Sequence, residues 1–136
     1  MHFIQQNIWL VTLAVVSGVM LLWPEIERRL SGVRHVGVLQ ATQLINQRDA
    51  LVLDVREDKE FAMGHIPNSK HIPLGQLGTR LTELAKYKAR PIVVNCRSGA
   101  RSSRACGVLG KQGFGEVYVL TGGMMAWEQA NLPVAR

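Results

Sequence analysis

The sequence predicts an α/β domain, a parallel sheet covered by helices on both faces, preceded by one apolar helix. Three observations carry this. The first 23 residues hold 16 apolar side chains and no Asp, Glu, Lys or Arg. Beyond them, short unbroken apolar runs alternate with segments of helical spacing about five times. Strand and helix in alternation mean a parallel sheet with helical crossovers. At 136 residues there is room for one domain of ordinary size. Expected boundaries are a transmembrane anchor over 1–24, a juxtamembrane helix and linker over 25–35, and the folded domain over 36–136.

The front segment, Phe3 to Trp23, is 21 residues long. As a helix it would span about 31 Å, the thickness of a bilayer core. Trp9 and Trp23 lie near the ends of its most apolar stretch, as interface anchors do, and Pro24 follows at once. A cleavable signal would need a basic start and a small-x-small site, and neither is present. A buried core helix is rarely apolar on all faces. A single-pass anchor through residues 3–23 is therefore expected. Arg28, Arg29 and Arg34 follow the span, and its N-terminal flank carries only the α-amino group and His2. The positive-inside rule then places the domain in the cytoplasm.

Glu25 to Leu30 continues as helix, and Ser31-Gly32 ends it. Val36–Leu39 reads as a weak strand and Ala41–Gln47 as a short helix with Leu44 and Ile45 inward. Leu51–Asp54 is a short buried strand, by its unbroken apolarity. Lys59–Met63 is a turn or two of helix. Lys70–Ile72 is a short strand ended by Pro73. Leu74–Ala85 carries Leu74, Leu77, Leu81 and Leu84 at helical spacing. Pro91–Asn95 is the strongest strand, and Arg101–Gln112 is a helix stopped by Gly113. Val117–Leu120 and Met124–Ala130 complete the alternation.

The net charge of +6 comes from Lys and Arg spread along the chain without a run of five. No aromatics interleave with the basic clusters, so no nucleic-acid partner is expected. Two cysteines exclude a disulfide-dense scaffold and a four-cysteine zinc site. No His, Cys and Asp spacing suits a metal, and no cofactor is expected.

In a parallel α/β sheet ligands sit at the carboxyl ends of the strands. The strongest strand is followed there by Cys96-Arg97-Ser98-Gly99-Ala100-Arg101-Ser102. A tight loop entering a helix N-terminus aims successive N–H groups at one point. Gly99 supplies the backbone freedom that the turn needs. Ser102 or Ser103 is expected to cap the helix. The amides, the helix dipole, Arg97 and Arg101 all favour a thiolate at Cys96, which is the nucleophilic form.

These residues carry a resemblance. Leu53-Asp54-Val55-Arg56-Glu57, Glu60-Phe61, Gly64-His65-Ile66-Pro67-Asn68-Ser69 and Ile72-Pro73-Leu74 resemble the rhodanese domain. So do Ile92 to Ser102, with the cysteine loop, and the tail Gly113-Phe114, Val117-Tyr118-Val119-Leu120, Gly122-Gly123, Ala126-Trp127 and Leu132-Pro133. The ordered set covers about residues 36–134. The whole chain is similar to the membrane-anchored single-domain rhodaneses of bacteria. The resemblance implies a five-stranded parallel sheet with helices on both sides. It also implies sulfur transfer. The loop cysteine, Cys96 here, takes sulfane sulfur from a small anionic donor of the thiosulfate or polysulfide type and becomes a persulfide. It passes that sulfur to a thiol or cyanide acceptor. The amides of Arg97, Ser98, Gly99, Ala100, Arg101 and Ser102 would cradle the terminal sulfur, and Arg97 and Arg101 would attract the dianion. The alternative is a membrane-tethered persulfide carrier or redox sensor with little turnover.

Loop length separates relatives. Phosphatases of this logic need Cys-x5-Arg, so that an arginine forks onto the phosphate, whereas position 102 is Ser. The loop also departs from the mercaptopyruvate-type Cys-Gly-Ser/Thr-Gly-Val-Thr. Arg56, at a strand end, is expected to form a structural ion pair, with substrate contact as the second reading. His65 is expected to pack or hydrogen-bond to backbone. Cys106 is expected to be a buried helical cysteine, with a resolving role as its alternative, and Trp127 to lie in the core.

Overall fold

Residues 1–30 and 33–136 are described by the computed structural model. The helix end expected at Ser31-Gly32 lies outside the described residues. The chain divides into two units, Met1–Gly32 and Val33–Arg136.

In the front unit a short helix α1, His2–Gln6, precedes the long helix α2, Ile8–Leu30. The break falls at Asn7, whose side-chain Nδ2 donates to Phe3 O at 3.2 Å. A short polar side chain bonding locally in this way competes with the helical ladder. The long helix therefore starts five residues later than the expected Phe3. It runs on through Pro24 to Leu30, so the helical stretch expected over Glu25 to Leu30 is part of it. Within it, Ile8–Ile26 is long and apolar enough to cross a membrane.

The domain begins with β1, Arg34–Val36, and α3, Val38–Arg48, followed by β2, Leu51–Asp54, and α4, Asp58–Met63. Then come β3, Lys70–His71, α5, Leu74–Leu77, and a 3-10 helix over Leu81–Tyr87. The chain ends with β4, Ile92–Asn95, α6, Ala100–Lys111, β5, Val117–Leu120, and α7, Gly123–Gln129. The five strands form one sheet in the order β1-β5-β4-β2-β3, and every pairing is parallel. Leu51 lies opposite Ile92, and Ile92 opposite Val117. The central strands β2 and β4 are buried along their whole length, which is why they read as unbroken apolar runs.

Strand residues alternate between the two faces. Ile92 and Val94 join Leu53, Leu77, Leu84, Ala105 and Leu109 in one core. Val93 joins Val52, Ala41, Leu120, Met124 and Trp127 in the other. So α5, the 3-10 helix and α6 cover one face, and α3 and α7 the other. Trp127 is 5% exposed, and its Nε1 donates to Pro133 O at 2.8 Å.

Two expected elements differ. The first strand lies at 34–36, not 36–39, because Gly37 is the extended N-cap residue of α3. Only Val36 of that edge strand is buried, so it has little apolar signature. The helix expected over 74–85 is two pieces. Thr79 Oγ1 donates to Gln76 O at 3.0 Å and Arg80 N–H to Gln76 O and Leu77 O, which closes α5 after one turn. Leu77 and Leu84 still reach the core, so the apolar spacing survives the break.

Candidate active site

β4 delivers Cys96 to the carboxyl edge of the sheet, and the chain turns at once into α6. Gly99 is the N-cap residue with φ +119, a left-handed backbone suited to glycine. Its N–H points at Cys96 Sγ, 2.9 Å away. The thiol is 1% exposed. Burial alone would push its pKa up. The Ser102 hydroxyl and the amides of Ser102, Gly99 and Ser98 outweigh this and hold the pKa below the ordinary thiol value. Ser102 Oγ is buried and makes no hydrogen bond in the resting site. A charged sulfur is the acceptor that its position suits. Neither serine caps α6 as expected, since the cap is Gly99 and Ser103 Oγ donates to Gly99 O at 3.1 Å.

The loop is held from behind by the start of α7. Met124 N–H donates to Cys96 O at 2.7 Å and Met125 N–H to Arg97 O at 3.4 Å. Asn95, fully buried beneath, donates through Nδ2 to Met124 Sδ at 3.7 Å. A loop whose carbonyls are held on one side keeps its amides aimed at the other.

Cys106 is buried on α6, in the same core cluster as Cys96. Desolvation, with the nearby Cys96 charge, pushes its pKa up to about 12. Cys96 is therefore the more readily ionised of the two thiols, and Cys106 is the neutral thiol at neutral pH. Iodoacetamide should label Cys96 alone in the folded protein, with Cys106 labelled only after denaturation. The labelling rate should rise with pH through a midpoint below that of an ordinary thiol, and Ser102→Ala should move the midpoint upward. Equal labelling of both cysteines in the native state would contradict this.

The arginines separate. Arg97 is exposed at the loop. Arg101 turns instead to α4, where Nη1 and Nη2 meet Glu60 Oε1 and Oε2 at 2.6 and 2.9 Å. This pairing, together with the Glu57 N–H that donates to Glu60 Oε1, lowers the Glu60 carboxyl to about 2. Arg56 is 5% exposed, and its Nε and Nη2 hold both oxygens of Asp54 at 2.8–3.0 Å. Nη2 also donates to Gly64 O at 2.7 Å. His65 stacks on Phe61 with ring centroids 3.8 Å apart, and its Nδ1 is 3.0 Å from Phe61 O, which is a packing role.

A cavity of about 350 Å³ opens beside the loop. Arg97 lines it from the loop, Met124, Met125 and Glu128 from α7, and Glu60, Met63, Gly64 and Arg56 from the segment after β2. A second groove, about 400 Å³, lies among β1, α3 and β5, and no residue of the cysteine loop lines it. Sequence reasoning missed Met63, Met125, Glu128 and the pairing of Glu60. Of these only Glu60 had a signal, since Glu57-x-x-Glu60 reads as a capping box.

The fold and the loop together define a class: a parallel α/β domain with a buried cysteine at the head of a helix. The rhodanese-like domain family matches residues 38–130. A sulfurtransferase of Allochromatium vinosum is 40% identical over 92 residues, covering 68% of this chain and 84% of that protein. The thiosulfate sulfurtransferase GlpE of Vibrio cholerae is 35% identical over 100 residues, covering 74% and 92%. The crystal structure of a rhodanese-related protein from Thermoplasma volcanium superposes with a TM-score of 0.68 at 29% identity, covering 75% of this chain and 97% of that one. The chain belongs to the rhodanese-like domain family.

Proposed function

We propose that the protein is a rhodanese-type sulfurtransferase with Cys96 as the sulfur-accepting nucleophile. The observation that carries this is the Gly99 N–H placed 2.9 Å from Cys96 Sγ, at the head of α6. Backbone donors fixed there stabilise negative sulfur without a general base. With thiosulfate as donor, the Cys96 thiolate attacks the outer sulfur. The S–S bond of the donor breaks and sulfite leaves with its electron pair. The product is a Cys96 persulfide anion, whose terminal sulfur takes up the charge that the loop amides of residues 97–102 are aimed at. A thiolate or cyanide then attacks that terminal sulfur, and the Cys96 thiolate is released. Arg97 lines the approach to the loop and supplies a positive charge for an anionic donor. Arg101 is tied to Glu60 and contributes less free charge.

The test is intact mass after incubation with thiosulfate. One sulfur should add to the wild-type protein and to Cys106→Ser, and none to Cys96→Ser. An adduct on Cys106 would overturn the assignment. The carrier or redox-sensor reading differs in turnover, so steady-state production of thiocyanate from thiosulfate and cyanide separates the two. Burial of Cys106 with its pKa near 12 argues against a disulfide-based sensor, because a resolving cysteine must itself ionise.

The same proposal places the protein on a membrane through residues 3–23, with its domain in the cytoplasm of a bacterium. Support comes from the span Ile8–Ile26 and from the arginines that follow it. The full chain should resist alkaline carbonate washing, and a C-terminal reporter should read as cytoplasmic. Release by carbonate, or a periplasmic reporter signal, would reject this placement.

A further inference from the structure

The charges lining the loop-side cavity cancel. Arg56 lines it but is already held by Asp54, and Arg101 is held by Glu60. Glu60 lines the cavity and Arg101 does not. Beyond these pairs the charged side chains lining it, among the described residues, are Arg97 and Glu128, one of each sign. Much of the remaining wall is methionine. Met63 is 79% exposed and Met125 48%, a large apolar exposure beside a reactive loop. The volume of about 350 Å³ lies in the range of organic-ligand sites and leaves far more room than thiosulfate fills.

A cavity built for a dianion would concentrate positive charge. This one offers a plus, a minus and a polarisable apolar wall. We propose that Glu60 is a specificity-determining residue. By holding Arg101 it withdraws a positive charge from the cavity, and the balanced, methionine-walled site that results selects a zwitterionic thiol persulfide, of amino-acid or short-peptide kind, over a dianion. This rests on the reading of Cys96 as the sulfur-accepting nucleophile. The donor is R–S–SH. Its carboxylate faces Arg97, its ammonium faces Glu128, and its carbon body lies on Met63 and Met125. The Cys96 thiolate attacks the outer sulfur, the donor S–S bond breaks, and R–S⁻ leaves with the bonding pair. Cys96 becomes the persulfide, Cys96–S–SH, with no net oxidation or reduction.

The experiment uses the full chain in detergent at low ionic strength. Cys96 is alkylated with iodoacetate, an anion, and with iodoacetamide, its neutral analogue. Glu60→Gln should raise the iodoacetate-to-iodoacetamide rate ratio roughly three- to tenfold by unmasking Arg101. Arg101→Gln should lower the ratio, and the double variant should return it to the wild-type value. The opposite sign of the Arg101→Gln effect keeps the test decisive if Glu60→Gln folds poorly. In sulfur transfer, wild type should show the higher kcat/KM with cysteine persulfide, whose carbon body carries one carboxylate and one ammonium, than with thiosulfate. Glu60→Gln should lower KM for thiosulfate several-fold without a comparable change in that for cysteine persulfide. A ratio unmoved by these variants, two alkylation rates that fall together, or a wild-type preference for thiosulfate would overturn the proposal while sulfur still adds to Cys96. No sulfur adduct from either donor, with the ratio shifting as expected, would overturn the underlying sulfurtransferase reading, and the proposal with it.

Discussion

Gly123→Ala should be among the most damaging single substitutions in the domain, although Gly123 contributes no side chain to the site. Its φ is +55, and a Cβ there would collide with Cys96 O and come within 2.7 Å of the Arg97 carbonyl carbon and oxygen. Those atoms are backbone, so no flexible side chain can yield. They are also the carbonyls that accept the Met124 and Met125 N–H groups. The methyl group must push α7 away from the loop or push the loop out of register with the sulfur. Left-handed strain and forced overpacking together cost about 2–4 kcal/mol. In a domain of this size that is a drop of about 10–20 °C in Tm. Displacement of the loop by a fraction of an ångström should cut sulfur transfer by about tenfold or more. Gly107→Ala on α6 is the control, because a Cβ there meets nothing within 4 Å. It should be neutral or slightly stabilising. A Gly123→Ala protein with wild-type Tm and turnover would show that the contact between α7 and the loop is unimportant.

Arg56→Ala should cost about 3–5 kcal/mol, because it leaves the Asp54 carboxylate buried with no counter-charge. Asp54 is fully buried, and the Arg56 guanidinium reaches both of its oxygens as well as Gly64 O. The pair links β2 to the turn after α4, so its loss should also loosen one wall of the cavity. Arg56→Lys should rescue little, since a point charge cannot make the forked contact. Removing both charges, as in Asp54→Leu with Arg56→Met, should be less harmful than Arg56→Ala alone, because no buried charge is then left unpaired. Urea unfolding of the four proteins decides the matter. A loss under about 1 kcal/mol in Arg56→Ala would mean that the pair is worth no more than a surface bridge. Of the two readings of Arg56, the structure thus shows the ion pair.

The sheet was readable where burial is complete. β2 and β4 are buried on both faces, and burial of that kind demands consecutive apolar residues. β1 was misplaced because an edge strand with one buried residue in three leaves almost no pattern. The break between α5 and the 3-10 helix was hidden because Leu77 and Leu84 keep a spacing that a continuous helix would also give. What ends α5 is a local bond from the Thr79 hydroxyl to Gln76 O.

The candidate site divides along the same line. Cys96 and its loop could be found from sequence because strand, cysteine, glycine and helix start are neighbours in the chain, and their geometry follows from local backbone rules. The partner of Arg101 could not, because Glu60 lies 41 residues away on another helix. The sequence shows two arginines beside a cysteine and suggests a strongly positive site. Only the packing of α4 beside α6, which depends on the strand order, reveals that one of them is already neutralised. Gly123 follows the same logic, since its need for glycine arises from the Cys96 carbonyl, which α7 meets only once the sheet has formed. From sequence alone the loop cysteine, its place at the end of β4 and its helix-start environment are determined, because these rest on contacts within a few residues. The charge of the cavity and the exact seat of the loop are decided only by the tertiary structure, because they rest on groups that the chain brings together from far apart.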